Sequence, residues 1–244
     1  MGDAGPGFQG EAEVWVNFVL VHGAYHGPWC WDRLVTELEK LGHTTQAVDL
    51  PVENPTIGAD GYADVIAGAI DQDDSVVVGH SMMGLAIPLV PARRQVHRLV
   101  YLCAFVPAIG SSFNEVRARE SVEPDRRLQN VQFTEIGGNV WTIGPDTARE
   151  LFYHDAPPGL AEWAIPQLRP QAYRIMGEAT PLTTWPDVAS SYILCRTDRA
   201  VDPGWARMVA RERLGAEAIE MDGGHSPFLT RPAELAVLLD RETK

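Results

Sequence analysis

Ser75-Val76-Val77-Val78-Gly79-His80-Ser81-Met82-Met83-Gly84 is the stretch from which the fold is read. Three consecutive valines form a short continuous apolar run, the pattern of a strand buried on both faces. The run ends in Gly-His-Ser, and a helix-compatible segment follows. A serine on a tight strand-to-helix turn has its hydroxyl lifted into the open at the top of a parallel sheet. The next N–H, that of Met82, then lies at a helix N-terminus, where it can face a developing oxyanion. The spacing departs from Gly-x-Ser-x-Gly: Met83 holds the place of the second glycine, and Gly84 comes one residue later. Extra methylenes in a tight helix–strand contact cost about 1–3 kcal/mol, although a thioether adapts better than other large side chains. The sequence therefore predicts a shifted elbow or compensated packing within an intact fold.

Outward from this stretch, strand and helix patterns alternate. Val14 to Val21 reads as a strand ending at His22-Gly23. Pro28 opens a helix to about Leu41, with Trp31, Leu34, Val35, Leu38 and Leu41 on one face, and Gly42 ends it. Thr44 to Leu50 is a second strand, and Tyr62, Val65, Ile66, Ala69 and Ile70 mark a second helix. After the elbow, Pro88 and Pro91 should shorten or kink the helix, and Arg98 to Val106 gives a further strand. Residues 108–187 are rich in proline and show helical fragments (Thr147 to Tyr153, Leu160 to Leu168) without a convincing strand, so a helical cap insertion is expected there. Alternation resumes with strand Ser191 to Thr197, helix Trp205 to Leu214, strand Ala218 to Met221 and helix Pro232 to Arg241. The expected fold class is α/β: a mostly parallel central sheet flanked by helices, with residues 13–107 and 188–244 as the core and residues 1–12 as a disordered tail.

The 244 residues are 45% hydrophobic with a formal net charge of −13, enough for one large core and unsuited to nucleic acid or an anionic membrane as partner. Cys30, Cys103 and Cys195 are odd in number, far apart and in apolar contexts, which reads as buried free thiols. No apolar run is long enough to span a bilayer and no secretory leader is recognisable, so a cytoplasmic protein is expected. The sequence shows no metal-ligand cluster and no dinucleotide fingerprint, so no cofactor is predicted. Association into a homodimer is compatible with the sequence.

A serine hydroxyl needs a base within hydrogen-bond reach, and the base needs a group that fixes its tautomer and stabilises its cation. Ser81, Asp198 and His225 follow successive strands in the order Ser, Asp, His. Asp202, Asp222 and Asp49 are weaker candidates for the acid, and His43, His97 and His154 read as surface or helix-end residues. A second oxyanion donor is expected from His22-Gly23-Ala24-Tyr25, with Ala24 N–H beside Met82 N–H; His22 is expected to hold that loop, and Gly23 and His80 to line the site.

Val19-Leu-Val-His-Gly-Ala-Tyr-His-Gly-Pro-Trp-Cys-Trp resembles the N-terminal signature of the plant methylesterase and hydroxynitrile lyase group of α/β-hydrolases and their bacterial esterase relatives. Gly79-His-Ser-Met, Leu99-Val-Tyr-Leu-Cys-Ala-Phe-Val-Pro, Thr197-Asp-Arg-Ala-Val and Gly223-Gly-His-Ser-Pro-Phe-Leu resemble the same group in the same order, as do the shorter pieces Phe152-Tyr-His-Asp and Leu168-Arg-Pro-Gln. The resemblance implies a triad of Ser81, Asp198 and His225 with oxyanion donors Ala24 and Met82. The lyases of the group carry a threonine, a glutamate and a lysine where this chain has Gly23, His80 and Ser226. Without that lysine no cation holds a departing cyanide, so a carboxylic ester hydrolase is implied, acting on a small or medium apolar or aromatic ester. Phe105, Phe133, Trp141, Leu151 and Trp163 are the expected acyl or aryl pocket. The alternatives are a thioester- or lactone-cleaving or cyclising enzyme of secondary metabolism and a ligand-binding homologue weakened by Met83.

Overall fold

The computed structural model describes residues 15–123 and 132–243; the expected tail, residues 1–12, lies outside the described residues. In the first half, β1 (Asn17–Val21), α1 (Asp32–Lys40), β2 (Thr44–Val48), α2 (Ala59–Ala69), β3 (Val76–His80) and β4 (Arg98–Leu102) alternate. The segment that follows holds α3 (Phe113–Arg119), β5 (Phe133–Gly137), β6 (Val140–Ile143), α4 (Pro145–Phe152), α5 (Leu160–Ala164), β7 (Gln171–Ala172) and α6 (Arg174–Gly177). The chain then completes the core with β8 (Ala189–Cys195), α7 (Pro203–Leu214), β9 (Ile219–Met221), α8 (Pro227–Thr230) and α9 (Pro232–Arg241).

Six strands form one sheet in the order β2-β1-β3-β4-β8-β9, every neighbouring pair parallel. Every residue of β1 and β3 is buried, because both faces of the sheet are covered. Val77 packs in the layer of Tyr62 and Ile66 from α2 and Val209 from α7. Val76 and Val78 face the opposite layer, with Leu34 and Leu38 from α1 and Leu235 and Leu239 from α9. Period-two side-chain alternation thus feeds two separate cores from one valine run. The chain leaves β1 toward one edge of the sheet and returns on the other side as β3. The loops after these two strands diverge and leave a crevice at their carboxyl ends.

The structure departs from the sequence expectation in four places. Pro28–Trp31 is a 3₁₀ turn before α1, and the segment after β3 is two 3₁₀ turns, Ser81–Leu85 and Ile87–Ala92, where Pro88 and Pro91 supply no N–H to continue an α-helix. β4 stops at Leu102, and Cys103 turns the chain with φ 45°. The insertion is not purely helical: β5, β6 and β7 form an antiparallel sheet, with β5 and β6 joined through Gly138 (φ 65°) and Asn139 (φ 61°). Positive φ at both central residues is the geometry that matches the twist of a two-residue hairpin. No helix among the described residues is long and apolar enough to cross a membrane.

Candidate active site

The turn at the end of β3 is strained at one residue. Ser81 has φ 53°, in the left-handed region that side chains other than glycine rarely adopt. Phe105 N–H donates to the Ser81 carbonyl at 2.9 Å, drawing the loop after β4 against the elbow. A Cβ on Gly84 would overlap the Phe105 carbonyl oxygen and stand 2.9 Å from Ala104 Cβ. The close approach therefore falls at Gly84. In a 3₁₀ turn with three residues per turn, the residue three after Ser81 returns to its side. Met83 is fully buried in the apolar layer with Leu85, Ala86 and Ile87. The crowding expected at Met83 is thus met one position later, by a glycine.

Ser81 Oγ donates to His225 Nε2 at 2.9 Å, and His225 Nδ1–H donates to Asp198 at 2.9 and 3.0 Å. This network fixes the tautomer with the Nε2 lone pair toward serine. Asp198 Oδ1 also accepts the Ala200 and Val201 N–H groups at 2.8 and 3.0 Å, so the carboxylate is held by its own turn after β8. All three residues are buried. Such a relay can take the serine proton, hold the resulting imidazolium and return the proton to a leaving group. The rival acids are engaged elsewhere: Asp202 caps α7 by accepting Trp205 N–H at 2.8 Å, Asp222 pairs with Arg196 and Asp49 with Arg169. Of the rival histidines, His97 is exposed and His154 partly buried. His43, contrary to expectation, is buried; its Nδ1 accepts Val16 N–H and its Nε2–H donates to Asp240, tying the entry of β1 to α9.

The loop after β1 is fixed atom by atom. His22 Nδ1–H donates to the Gly23 carbonyl at 3.0 Å while His22 Nε2 accepts Leu50 N–H at 3.2 Å. His26 Nδ1–H donates to the Ala24 carbonyl at 2.8 Å, and Tyr25 N–H donates to Gln171 at 3.2 Å. Tyr25 itself sits at φ 65°. A Cβ on Gly23 would lie 2.6 Å from His80 Nδ1 and 2.8 Å from Ser81 Cβ, so only glycine lets this loop close on Ser81. Ala24 and Met82 both border the cavity over Ser81.

Burial of neutral imidazoles has a measurable consequence. Burial lowers His22 to about 3 and His26 to about 4, from 6.5, and pushes His80 well below its ordinary value. Between pH 6.5 and about 4 the unfolded chain therefore binds more protons than the folded one, so stability rises with pH and is lost on acidification through that window. The urea midpoint should fall from pH 7 to pH 5, and fall less steeply in His26→Gln; equal slopes in parent and variant would contradict a buried neutral His26.

Above Ser81 lies a cavity of about 640 Å³. Phe105, Phe133, Trp141 and Leu151 line it as expected, but Gly23, His80 and Trp163 do not. Gly23 lies against Ser81 and His80. His80 is buried, its ring tilted 49° to the His225 ring with centroids 4.6 Å apart, and its Nε2–H donates to the His225 carbonyl at 3.0 Å. Trp163 is 45% exposed and packs edge-on against Trp29 on the outer surface. The sequence reading missed Tyr25, Phe152, Tyr173 and Met176 among the lining residues. Tyr25 and Phe152 stand within the quoted motifs; Tyr173 and Met176 carry no local signal. At the polar part of the wall, Arg117 pairs with Glu123 and Arg199 with Glu150.

Among the described residues, the one grouping of metal-ligating atoms is that of Cys103, Asp198 and His225, within 4.8 Å of one another. Its histidine and carboxylate already serve each other, and burial pushes the Cys103 thiol up, keeping it protonated. The set reads as the relay with a neutral thiol beside it.

Sheet order, strained serine turn and relay together define an α/β-hydrolase architecture. The chain belongs to the alpha/beta hydrolase family, whose model matches residues 18–238. It is 28% identical to the alpha/beta hydrolase nvfD of Aspergillus novofumigatus, over 88% of this chain and 91% of that one. It is also 28% identical to the probable esterase PIR7A of Oryza sativa subsp. indica, over 92% of this chain and 95% of that one. The crystal structure of polyneuridine aldehyde esterase superposes with a TM-score of 0.79 at 22% identity, covering 95% of this chain and all (100%) of that one.

Proposed function

We propose that the protein is a serine-dependent carboxylic ester hydrolase that works through an acyl-enzyme. The observation that carries this reading is the unbroken run of contacts from Asp198 through His225 to Ser81 Oγ, at 2.9 Å per step, on the floor of a cavity walled by aromatic side chains. In this mechanism His225 Nε2 takes the Ser81 proton as Oγ attacks the ester carbonyl. Ala24 and Met82 N–H groups receive the oxyanion, Asp198 stabilises the imidazolium, and the alcohol leaves with the proton from His225. Water then enters by the same relay and releases the acid. The names of the esterase relatives are consistent with this chemistry.

The cavity volume is that of a site for a drug-sized ligand, larger than an acetyl group needs. Filling an apolar pocket by one further group typically changes specificity by roughly 10–200-fold. On p-nitrophenyl esters, kcat/KM should therefore rise at least about tenfold from acetate to a benzoate or a branched arylalkanoate. A value highest for acetate and falling steadily with acyl size would contradict the proposed substrate class.

A further inference from the structure

The loop that carries His225 is held by four separate contacts. Thr197 fixes its start, with N–H and hydroxyl both donating to the Gly223 carbonyl at 3.1 and 2.8 Å. His80, the last residue of β3, donates to the His225 carbonyl, and Asp198 holds the ring. The remaining contact comes from the insertion. Asp155, three residues after the end of α4, accepts Gly224 N–H at 2.8 Å and the Thr230 hydroxyl at 3.3 Å, both on Oδ2. One carboxylate oxygen thus joins the residue immediately before His225 to the last residue of the short helix immediately after it.

This contact explains the second glycine of Gly223-Gly224. A Cβ on Gly224 would lie 2.6 Å from His154 Cε1 and 2.7 Å from Asp155 Oδ1. A Cβ on Gly223, at φ 120°, would meet Arg231 at 3.1 Å and Asp155 Oδ2 at 3.3 Å. A side chain on Gly224 would push the insertion off the loop, while Gly223 is held by its left-handed backbone. The same short segment also meets the substrate space and the base itself. Leu151 and Phe152 line the cavity, and the Phe152 ring stacks on the His225 ring with centroids 5.6 Å apart and planes 27° apart.

We propose that Asp155 is a positioning residue for catalysis: the insertion's carboxylate sets where His225 stands over Ser81, so that the cavity wall and the general base move as one unit. This rests on the esterase reading for its consequence on rate, while the contact itself is independent of it. A misplacement of about 1 Å at a reacting group can cost on the order of 100-fold in rate. Oδ1 of Asp155 is buried without a hydrogen-bond partner among the described residues, so an amide that keeps one acceptor oxygen can replace the carboxylate.

The test measures kcat and KM on a p-nitrophenyl ester, together with amide hydrogen exchange of residues 222–226, in the parent, Asp155→Ala and Asp155→Asn proteins. In Asp155→Ala, kcat should fall at least about 30-fold with KM within threefold, and Gly224 should exchange at least tenfold faster on the order expected for a lost hydrogen bond. Asp155→Asn should stay within about threefold of the parent in both. An Ala variant with parental kcat, an Asn variant as impaired as the Ala variant, or unchanged Gly224 exchange would each overturn the proposal. If the Ala variant does not fold, Asp155→Glu carries the same test. It keeps the charge but displaces the oxygen by a methylene, and should lose about tenfold in kcat at unchanged KM; parental kcat there overturns the proposal. A parent that is folded but hydrolyses no ester counts against the esterase reading alone, and the exchange comparison then decides on the Asp155 contact.

Discussion

Ser81→Ala is expected to lower ester hydrolysis by about 10⁴-fold or more, and Ser81→Gly by as much while leaving the protein more stable than the alanine variant. The activity loss follows from the chemistry, since without Oγ no acyl-enzyme forms and residual rate comes from oxyanion stabilisation and binding alone. The stability difference follows from the backbone. Ser81 sits at φ 53°, where any side chain costs roughly 1 kcal/mol and glycine does not. Both variants remove the same 2.9 Å bond to His225, so comparing them isolates the strain from the lost hydrogen bond. Glycine should raise the urea midpoint over alanine by the equivalent of about 1 kcal/mol. Equal midpoints would show that the serine is not held in the left-handed region; substantial turnover in either variant would show that another group is the nucleophile.

Gly84→Ala is expected to cost far more activity than Met83→Gly, even though the truncation at Met83 costs at least as much stability. The added methyl would run into the Phe105 carbonyl and stand 2.9 Å from Ala104 Cβ, and neither is the movable end of a flexible side chain. Relieving the overlap must move the loop after β4 or the 3₁₀ turn, and that turn carries both Ser81 and Met82 N–H. Overpacking of this kind costs about 1–3 kcal/mol, and a displaced oxyanion donor costs about 10²–10³ in kcat. Met83→Gly should instead behave as a core truncation. It empties buried volume and lowers stability by roughly 2–5 kcal/mol without accelerating hydrolysis. A Met83→Gly protein faster than the parent, or a Gly84→Ala protein with parental kcat, would return the close approach to position 83.

The motif Gly-x-Ser-x-Gly presumes an α-helix after the serine. Pro88 and Pro91 signalled that the helix would be short, but not that it would be 3₁₀ from its first residue, which moves the crowded position from 83 to 84. The relay was legible because each member follows a strand whose apolar run is local. Valines 76–78, the run before Asp198 and the short strand before Gly223 mark three points on one sheet edge, and a parallel sheet brings them together. The insertion was legible only in part. Gly137-Gly138-Asn139 between Phe133, Ile136, Val140 and Trp141 is a hairpin signal that the surrounding prolines obscured. Tyr173 and Met176 reach the cavity because β7 pairs with β6, a long-range contact with no trace in local pattern. Trp163 failed for the converse reason: its helix carries it to the outer face, where it packs on Trp29. The double glycine before His225 reads in sequence as loop freedom, whereas in the structure Gly223 holds a positive φ and Gly224 makes room for Asp155.

The most direct test of the account is covalent capture of the nucleophile. The folded protein would be incubated with an aryl phosphonate ester and then analysed by intact mass and peptide mapping. One phosphonyl group on Ser81 is expected, forming at least about 10³-fold more slowly in His225→Ala because the base that takes the serine proton is gone. A folded, ester-hydrolysing parent that takes up no label, or takes it up at a residue other than Ser81, would contradict the account at its centre.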